Sequence, residues 1–153
     1  MEPNFGTTQL AAQPIVGIRT TVAMNEIGKV MGPLFGELHG HIRQSGQQAA
    51  GAPLAIYYSP PGDTVDLECA IPVAAPIAGA GRVRAGELPA GKAATVTHVG
   101  PYDALSETWA ALTAWMQSQG LAAAGAPWES YLTDPGAEPD QSKWRTDIFF
   151  PVR

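Results

Sequence analysis

Residues 51–62, GAPLAIYYSPPG, and residues 125–136, GAPWESYLTDPG, follow one pattern at a spacing of 74 positions. Both copies open with Gly-Ala-Pro, carry a tyrosine at the seventh position and close with Pro-Gly. Each copy runs from a short segment of strand character into a turn rich in proline or glycine, which is typical of a β-hairpin. The sequence therefore predicts an internal repeat with one such hairpin in each half.

The match continues beyond the hairpin turns with a larger offset. Glu68 matches Asp147 and Pro72 matches Pro151, both at a spacing of 79. A polar loop at residues 136–142 in the second half explains the difference as an insertion. The offset therefore favours a duplicated unit in which one hairpin has lengthened.

The segments that precede the hairpins repeat as well, because in each half a strand pattern is followed by an apolar stripe of helical period. Pro33 lies inside the first helix pattern and predicts a kink or a restart there. Glycines at every fourth position from 28 to 40 predict a smooth helix face that allows close backbone approach. The predicted elements are leading strands 5–11 and 82–88, strands 14–22 and 92–99, helices 25–45 and 101–119, and hairpins 53–73 and 127–152.

Each half is thus predicted to have the element order β-β-α-β-β. Each leading strand is expected to belong to its own half and to be joined to it by a tight turn. We expect a single domain over residues 1–153, with repeat one to about residue 73, a linker at 74–81 and repeat two at 82–153. A half of about 75 residues buries too little surface to be stable alone, so the halves should share a core. The predicted fold class is α+β: two pseudo-twofold-related β-α-β-β repeats, antiparallel sheets with one long helix each, and a central ligand groove.

The composition indicates a packed globular protein with an acidic balance. Apolar residues make up 45% of the chain and charged residues 15%, and the formal net charge is −5. The basic residues form no run, so we expect no direct nucleic-acid partner. No stretch is typical of a secretory signal or a membrane span. The single cysteine excludes an intramolecular disulfide, and we expect a cytoplasmic protein with no membrane partner.

An acid and a tyrosine share one face of the strand at residues 127–133, because Glu129 and Tyr131 are two positions apart. Tyr57 is the repeat equivalent of Tyr131, whereas the equivalent of Glu129 is Ala55, so the acid occurs in one half only. Aromatic rings beside a carboxylate suit a flat organic cation. If the faces away from the helices line the groove, its contents are Glu129, Glu68, Asp147, Tyr57, Tyr131 and Phe149.

The other side chains that could carry chemistry are expected to have structural roles. Glu68 and Asp147 read individually as ordinary strand-edge charges, and Cys69 reads as a buried, inert thiol. His98 is expected to bond a backbone carbonyl, while His39 and His41 are two apart on a helix and so do not form a metal pair. We therefore expect no metal and no cofactor.

Four segments taken together resemble a known family: HVGPY at 98–102, a helix containing Trp109, WESYLTDP at 128–135 and IFFPV at 148–152. They are similar to the GyrI-like small-molecule-binding domain, which also forms the effector-binding half of multidrug-responsive transcription regulators. The resemblance implies a pair of β-α-β-β repeats about a pseudo-dyad and a pocket for hydrophobic, often cationic aromatic compounds. It implies that Glu129 lies in that pocket and that Tyr102 lines it.

Three functions are compatible with this resemblance. The leading one is a stand-alone protein that binds or sequesters aromatic small molecules, since the strand pattern begins near Met1 and leaves no DNA-binding segment. Its predicted ligand-binding residues are Glu129, Tyr131, Tyr57, Tyr102, Trp109, Glu68 and Phe149. The second is a hydrolase that opens strained cyclopropanes of DNA-alkylating natural products, with Glu129 as the catalytic residue that activates water. The third is an interaction module acting on DNA gyrase, and a homodimer stays open in each case.

Overall fold

The computed structural model describes residues 4–60 and 62–153, so Pro61 of the first hairpin turn lies outside the described residues. The described chain contains eight strands and two α-helices. They are β1 (Gly6–Leu10), β2 (Gln13–Ala23), α1 (Ile27–Gln44), β3 (Leu54–Tyr57), β4 (Thr64–Pro72), β5 (Arg84–Leu88), β6 (Gly91–Val99), α2 (Leu105–Ser118), β7 (Trp128–Tyr131) and β8 (Arg145–Pro151). The predicted α+β class, with antiparallel sheets and one long helix in each half, is confirmed.

The chain forms two compact units. The α1 unit comprises residues 11–90, and its strands lie in the order β3-β4-β2-β5. The α2 unit comprises residues 4–10 and 91–153, and its strands lie in the order β1-β6-β8-β7. Within each unit neighbouring strands pair antiparallel, and the helix packs on the central strands.

Each leading strand is joined to the next strand of its own half by a tight turn, as predicted, since β1 ends at Leu10 before Gln13 and β5 ends at Leu88 before Gly91. Each pairs with a strand of the other half, however, so the prediction that it belongs to its own half is wrong. β1 pairs with β6, with Gly6 opposite Thr95, and β5 pairs with β2, with Leu88 opposite Gln13. A strand pattern with period 2 states which residues share a face and carries no information about which neighbouring strand accepts the hydrogen bonds. The partner is therefore decided by tertiary structure.

Residues 74–81, predicted as a linker, pack as part of the α1 unit. Ile77 is buried in the same apolar cluster as Leu38 and Ile42 of α1. The ring nitrogen Nε2 of His41 lies 2.9 Å from the carbonyl oxygen of Ala78. The segment therefore closes one side of the α1 core.

Each helix buries the apolar stripe that its sequence predicts. Leu34, Leu38 and Ile42 of α1 are buried, as are Leu112 and Met116 of α2. Leu38 and Leu112 stand 74 positions apart, at the spacing of the sequence repeat, and both are fully buried. The repeat therefore extends to the packing of the helices.

Helix α1 runs through Pro33 without interruption. Its glycines Gly28, Gly32, Gly36 and Gly40 do not support close approach, because a Cβ built on any of them meets no described neighbour within 4 Å. The glycine face therefore opens onto free space, and the expectation of close backbone packing there is wrong.

Gly36→Ala is expected to raise the free energy of unfolding by about 0.5–1 kcal/mol, because alanine loses less backbone entropy in a helix and meets free space here. Urea denaturation measures the change. The matched control is Gly120→Ala after α2, where φ is +69° and an added Cβ is strained, so stability should fall. A loss of stability in Gly36→Ala would show that this face is covered.

Candidate functional site

Strand β7 presents Glu129 to the face of its sheet that α2 covers. In the pairing of β7 with β8, Glu129 lies opposite Ile148 and Tyr131 lies opposite Thr146. Ile148 belongs to the apolar cluster that contains Leu112 of α2. Because paired residues point to the same side of an antiparallel sheet, Glu129 and Tyr131 lie beneath α2.

The Glu129 carboxylate is buried and hydrogen-bonded by aromatic side chains. The indole N–H of Trp109 donates to Oε1, and the hydroxyl of Tyr131 donates to Oε2 over 2.7 Å. Only 4% of the Glu129 surface is exposed. A carboxylate at such a depth needs hydrogen-bond donors to offset its lost hydration. Trp109 and Tyr131 therefore hold the carboxylate in one orientation.

Further aromatic rings surround this pair. The ring of Tyr102 lies 5.7 Å from that of Tyr131, edge on, and 5.0 Å from that of Trp144. The ring of Trp109 lies 6.3 Å from that of Phe150, also edge on. We call Glu129 and these five aromatic residues the Glu129 cluster: Tyr102, Trp109, Tyr131, Trp144 and Phe150.

The electrostatic surroundings keep Tyr102 protonated. Burial raises the pKa of the Tyr102 phenol, and the nearby charges of Asp134 and Glu129 raise it further. A phenol with a raised pKa is neutral at physiological pH. Tyr102 can therefore donate a hydrogen bond while its ring faces remain apolar.

The connection from β6 to α2 positions Tyr102 and Trp109. Gly100 adopts a φ of +130°, which a residue with a Cβ rarely tolerates, and Tyr102 then opens a short 3-10 turn that leads into the helix. The His98 ring fastens this corner: Nε2 lies 3.0 Å from the Pro101 carbonyl oxygen, and Nδ1 lies 2.7 Å from Thr108 Oγ1. Because a carbonyl only accepts, Nε2 carries the hydrogen. The predicted backbone bond of His98 is confirmed.

Phe149 lies on the opposite face of the same sheet. It pairs with Trp128, and the two rings stack with centroids 5.6 Å apart. Asp147 shares that face and accepts a hydrogen bond of 2.7 Å from Thr97. The structure therefore separates Phe149 and Asp147 from Glu129, with which the sequence grouped them. Trp128 and Glu129 point to opposite faces of β7, and both are buried. Strand alternation therefore shows which residues share a face but not which face the helix covers, and this is why the sequence grouped Phe149 with Glu129.

The α1 unit repeats this division between faces. Tyr57 lies opposite Leu67 and packs against the core beneath α1, as Tyr131 does beneath α2. Glu68 follows Leu67 on the strand and therefore points away from α1. The repeat thus places a tyrosine on the helix side of each sheet, and Glu68 belongs to a different surface.

Trp144 and Phe150 are site residues that sequence reasoning missed. The structure places both rings in the Glu129 cluster. The signal in the sequence is their alternation with Thr146 and Ile148 in β8 and the residue before it.

The thiol of Cys69 carries no site chemistry in the structure. It is fully buried beneath α1, and burial raises its pKa to about 12. Within the described ranges, His, Cys, Asp and Glu side chains form no group of three that could hold a metal ion. Neither helix described above has the length and apolar character that crossing a lipid bilayer requires.

Comparisons with known proteins place the fold. The C-terminal domain of EcmrR matches with a TM-score of 0.89 and 23% identity over 100% of this chain and 99% of that one. SAV2435 bound to tetraphenylphosphonium matches with a TM-score of 0.70 and 17% identity, over 98% of this chain and 94% of that one. A hydrolase from Listeria innocua matches with a TM-score of 0.70 and 16% identity, over 97% of this chain and 91% of that one.

The present chain spans 57% of the EcmrR chain in a DNA complex, which it matches with a TM-score of 0.88 and 23% identity over 99% of its own length. No curated protein matches it in sequence. The sequence model of the GyrI-like small molecule binding domain matches residues 3–153. The chain therefore belongs to the GyrI-like small-molecule-binding domain family.

Proposed function

We propose that the Glu129 cluster binds hydrophobic organic cations that carry aromatic rings, and that drug or toxin binding is the function of this protein. The observation that carries this proposal is the buried carboxylate held by Trp109 and Tyr131 among aromatic rings. Such a site offers charge and apolar surface together.

A cation gains from both parts of this site. The carboxylate supplies a full opposite charge in surroundings of low polarity, where attraction is stronger than in water. The faces of Tyr102 and Trp109 supply a negative quadrupole, which attracts a cation within about 6 Å of the ring centre. An anion of the same shape meets repulsion from the same groups. The sign of the ligand's charge is therefore the property that the site selects.

Two further facts support the proposal. The formal net charge of −5 draws cations toward the protein. The structure of SAV2435, which shares the fold, has tetraphenylphosphonium bound, and this ion is a bulky aromatic cation.

Tetraphenylphosphonium and tetraphenylborate provide the direct test, because they have nearly the same shape and opposite charge. Titration calorimetry with the purified protein should show binding of the phosphonium and none of the borate at the same concentration. Equal affinities would mean that apolar contact alone accounts for binding. No binding of either ion would refute the proposed ligand class.

A binding protein and a hydrolase differ in the compound that is recovered after incubation with the ligand. The neighbour named a hydrolase shares only the fold with this chain. Each carboxylate oxygen of Glu129 already accepts a hydrogen bond from an aromatic side chain, an arrangement that suits a fixed counter-charge. Incubation with a cyclopropane-bearing alkylator should therefore return the intact compound. A ring-opened product containing added water would favour the hydrolase instead.

A further inference from the structure

A second group of charged side chains lies in the α1 unit, on the face of its sheet opposite to α1. Arg19 pairs with Glu68 in the register of β2 and β4, and Arg84 on β5 pairs with Gly17 on β2. A cavity of about 260 Å³ is lined by the charged side chains of Arg19, Glu68, Arg84 and Glu87, and its apolar side chains are those of Ile15, Ile56 and Ala85. None of its lining residues belongs to the Glu129 cluster.

The Glu68 side chain folds over Gly17. A Cβ built on Gly17 would collide with Glu68 Oε2, so the space of the missing side chain is filled by the carboxylate. Oε1 accepts a hydrogen bond of 2.6 Å from the hydroxyl of Tyr58. Among the described residues nothing donates to Oε2. The carboxylate is thus fixed in place with one oxygen available.

Tyr58 and Arg19 hold this arrangement. The guanidinium of Arg19 lies 3.9 Å from the centre of the Tyr58 ring and binds both oxygens of Asp66, at 3.0 and 2.8 Å. Burial and the bond to Glu68 raise the pKa of Tyr58, so the phenol remains a donor. The charge of Arg19 is therefore neutralised by Asp66, and Tyr58 is positioned to orient Glu68.

Arg84 contributes a positive charge to the same cavity. Across the described parts of the chain, no carboxylate oxygen lies within 4.0 Å of its guanidinium, and no hydrogen bond engages it. The cavity thus contains the available oxygen of Glu68, the carboxylate of Glu87 and the available guanidinium of Arg84, which lies beyond 4.0 Å from both carboxylates. An isolated anion would pair only with Arg84, and an isolated cation only with Glu68 or Glu87.

We propose that this cavity binds a small zwitterion with an apolar side chain, of the class of the aliphatic α-amino acids. Its ammonium group pairs with Glu68, its carboxylate pairs with the planar guanidinium of Arg84, and its side chain contacts Ile15 and Ile56. The cavity lies just below the volume of about 300 Å³ at which drug-sized sites begin, which suits a small molecule. The proposal stands independently of the function proposed for the Glu129 cluster.

L-leucine is the probe, with two analogues that each lack one charge. 3-Methylbutylamine has no carboxylate, and 4-methylpentanoate has no ammonium group. In NMR titrations of the 15N-labelled protein, leucine should shift the amide signals of Gly17 and Gly86 at millimolar concentration. Each analogue should bind about tenfold more weakly, corresponding to the loss of about 1.4 kcal/mol. The proposal is overturned if leucine leaves both signals unmoved or if either analogue binds equally well.

Variants locate the binding within the cavity. Arg84→Gln should weaken leucine binding about tenfold, whereas Arg43→Gln, an exposed arginine on α1, should not change it. Gly17→Ala should also weaken it, because the new methyl group displaces Glu68. Glu129→Gln should leave leucine binding intact, which separates this proposal from the cation site. Unchanged binding in Arg84→Gln would overturn the assignment.

Discussion

Replacing Glu129 by glutamine is expected to weaken tetraphenylphosphonium binding by about 10- to 100-fold, which corresponds to about 1.4–2.8 kcal/mol. Glutamine keeps the shape of the side chain and an oxygen that can accept the indole hydrogen bond of Trp109. What it removes is the negative charge of a side chain that is only 4% exposed. The change therefore measures the counter-charge separately from the aromatic contacts.

The control for this variant is Glu107→Gln. Glu107 is exposed in the first turn of α2, the helix that also carries Trp109, so the net charge changes equally while the cluster stays intact. Affinity should then remain close to that of the unmodified protein. If Glu129→Gln and Glu107→Gln bind the phosphonium equally well, Glu129 has no role in binding.

Leu112→Ala is expected to lower the free energy of unfolding by about 2–5 kcal/mol, because it removes buried methyl groups and leaves a cavity. Leu112 is fully buried on α2, in the apolar cluster with Ile148 and Met116. Chemical denaturation followed by circular dichroism measures the loss. Since the typical stability of a domain is about 5–15 kcal/mol, this variant should approach the limit of folding.

Leu38→Ala tests whether the repeat equivalent behaves in the same way. Leu38 is fully buried on α1, so Leu38→Ala should lower the free energy of unfolding by a similar amount, about 2–5 kcal/mol. Gln117→Ala, at an exposed position of α2, should stay within about 0.5 kcal/mol of the unmodified protein. A loss below about 1 kcal/mol in Leu112→Ala would mean that α2 contributes little to the core.

The site was predictable in part. Glu129 and Tyr131 could be placed together because they stand two positions apart on a strand, and the structure shows them joined by a hydrogen bond. Trp109 could be named only from the family resemblance and the helix pattern, since 20 positions separate it from the carboxylate that it binds. Phe149 was grouped with them wrongly, because strand alternation does not indicate which face the helix covers.

The sequence by itself determined the local structure and its duplication. The apolar stripes produce α1 and α2, the Gly-Ala-Pro segments precede β3 and β7, and the spacing of 74 relates Leu38 to Leu112. These features follow from backbone geometry and side-chain periodicity within short segments, which act over a few residues. The tertiary structure alone decided that β1 pairs with β6, that β5 pairs with β2, and that α2 covers Glu129 rather than Phe149. Such choices depend on the burial and hydrogen bonding of distant segments, whose free energy no local pattern contains.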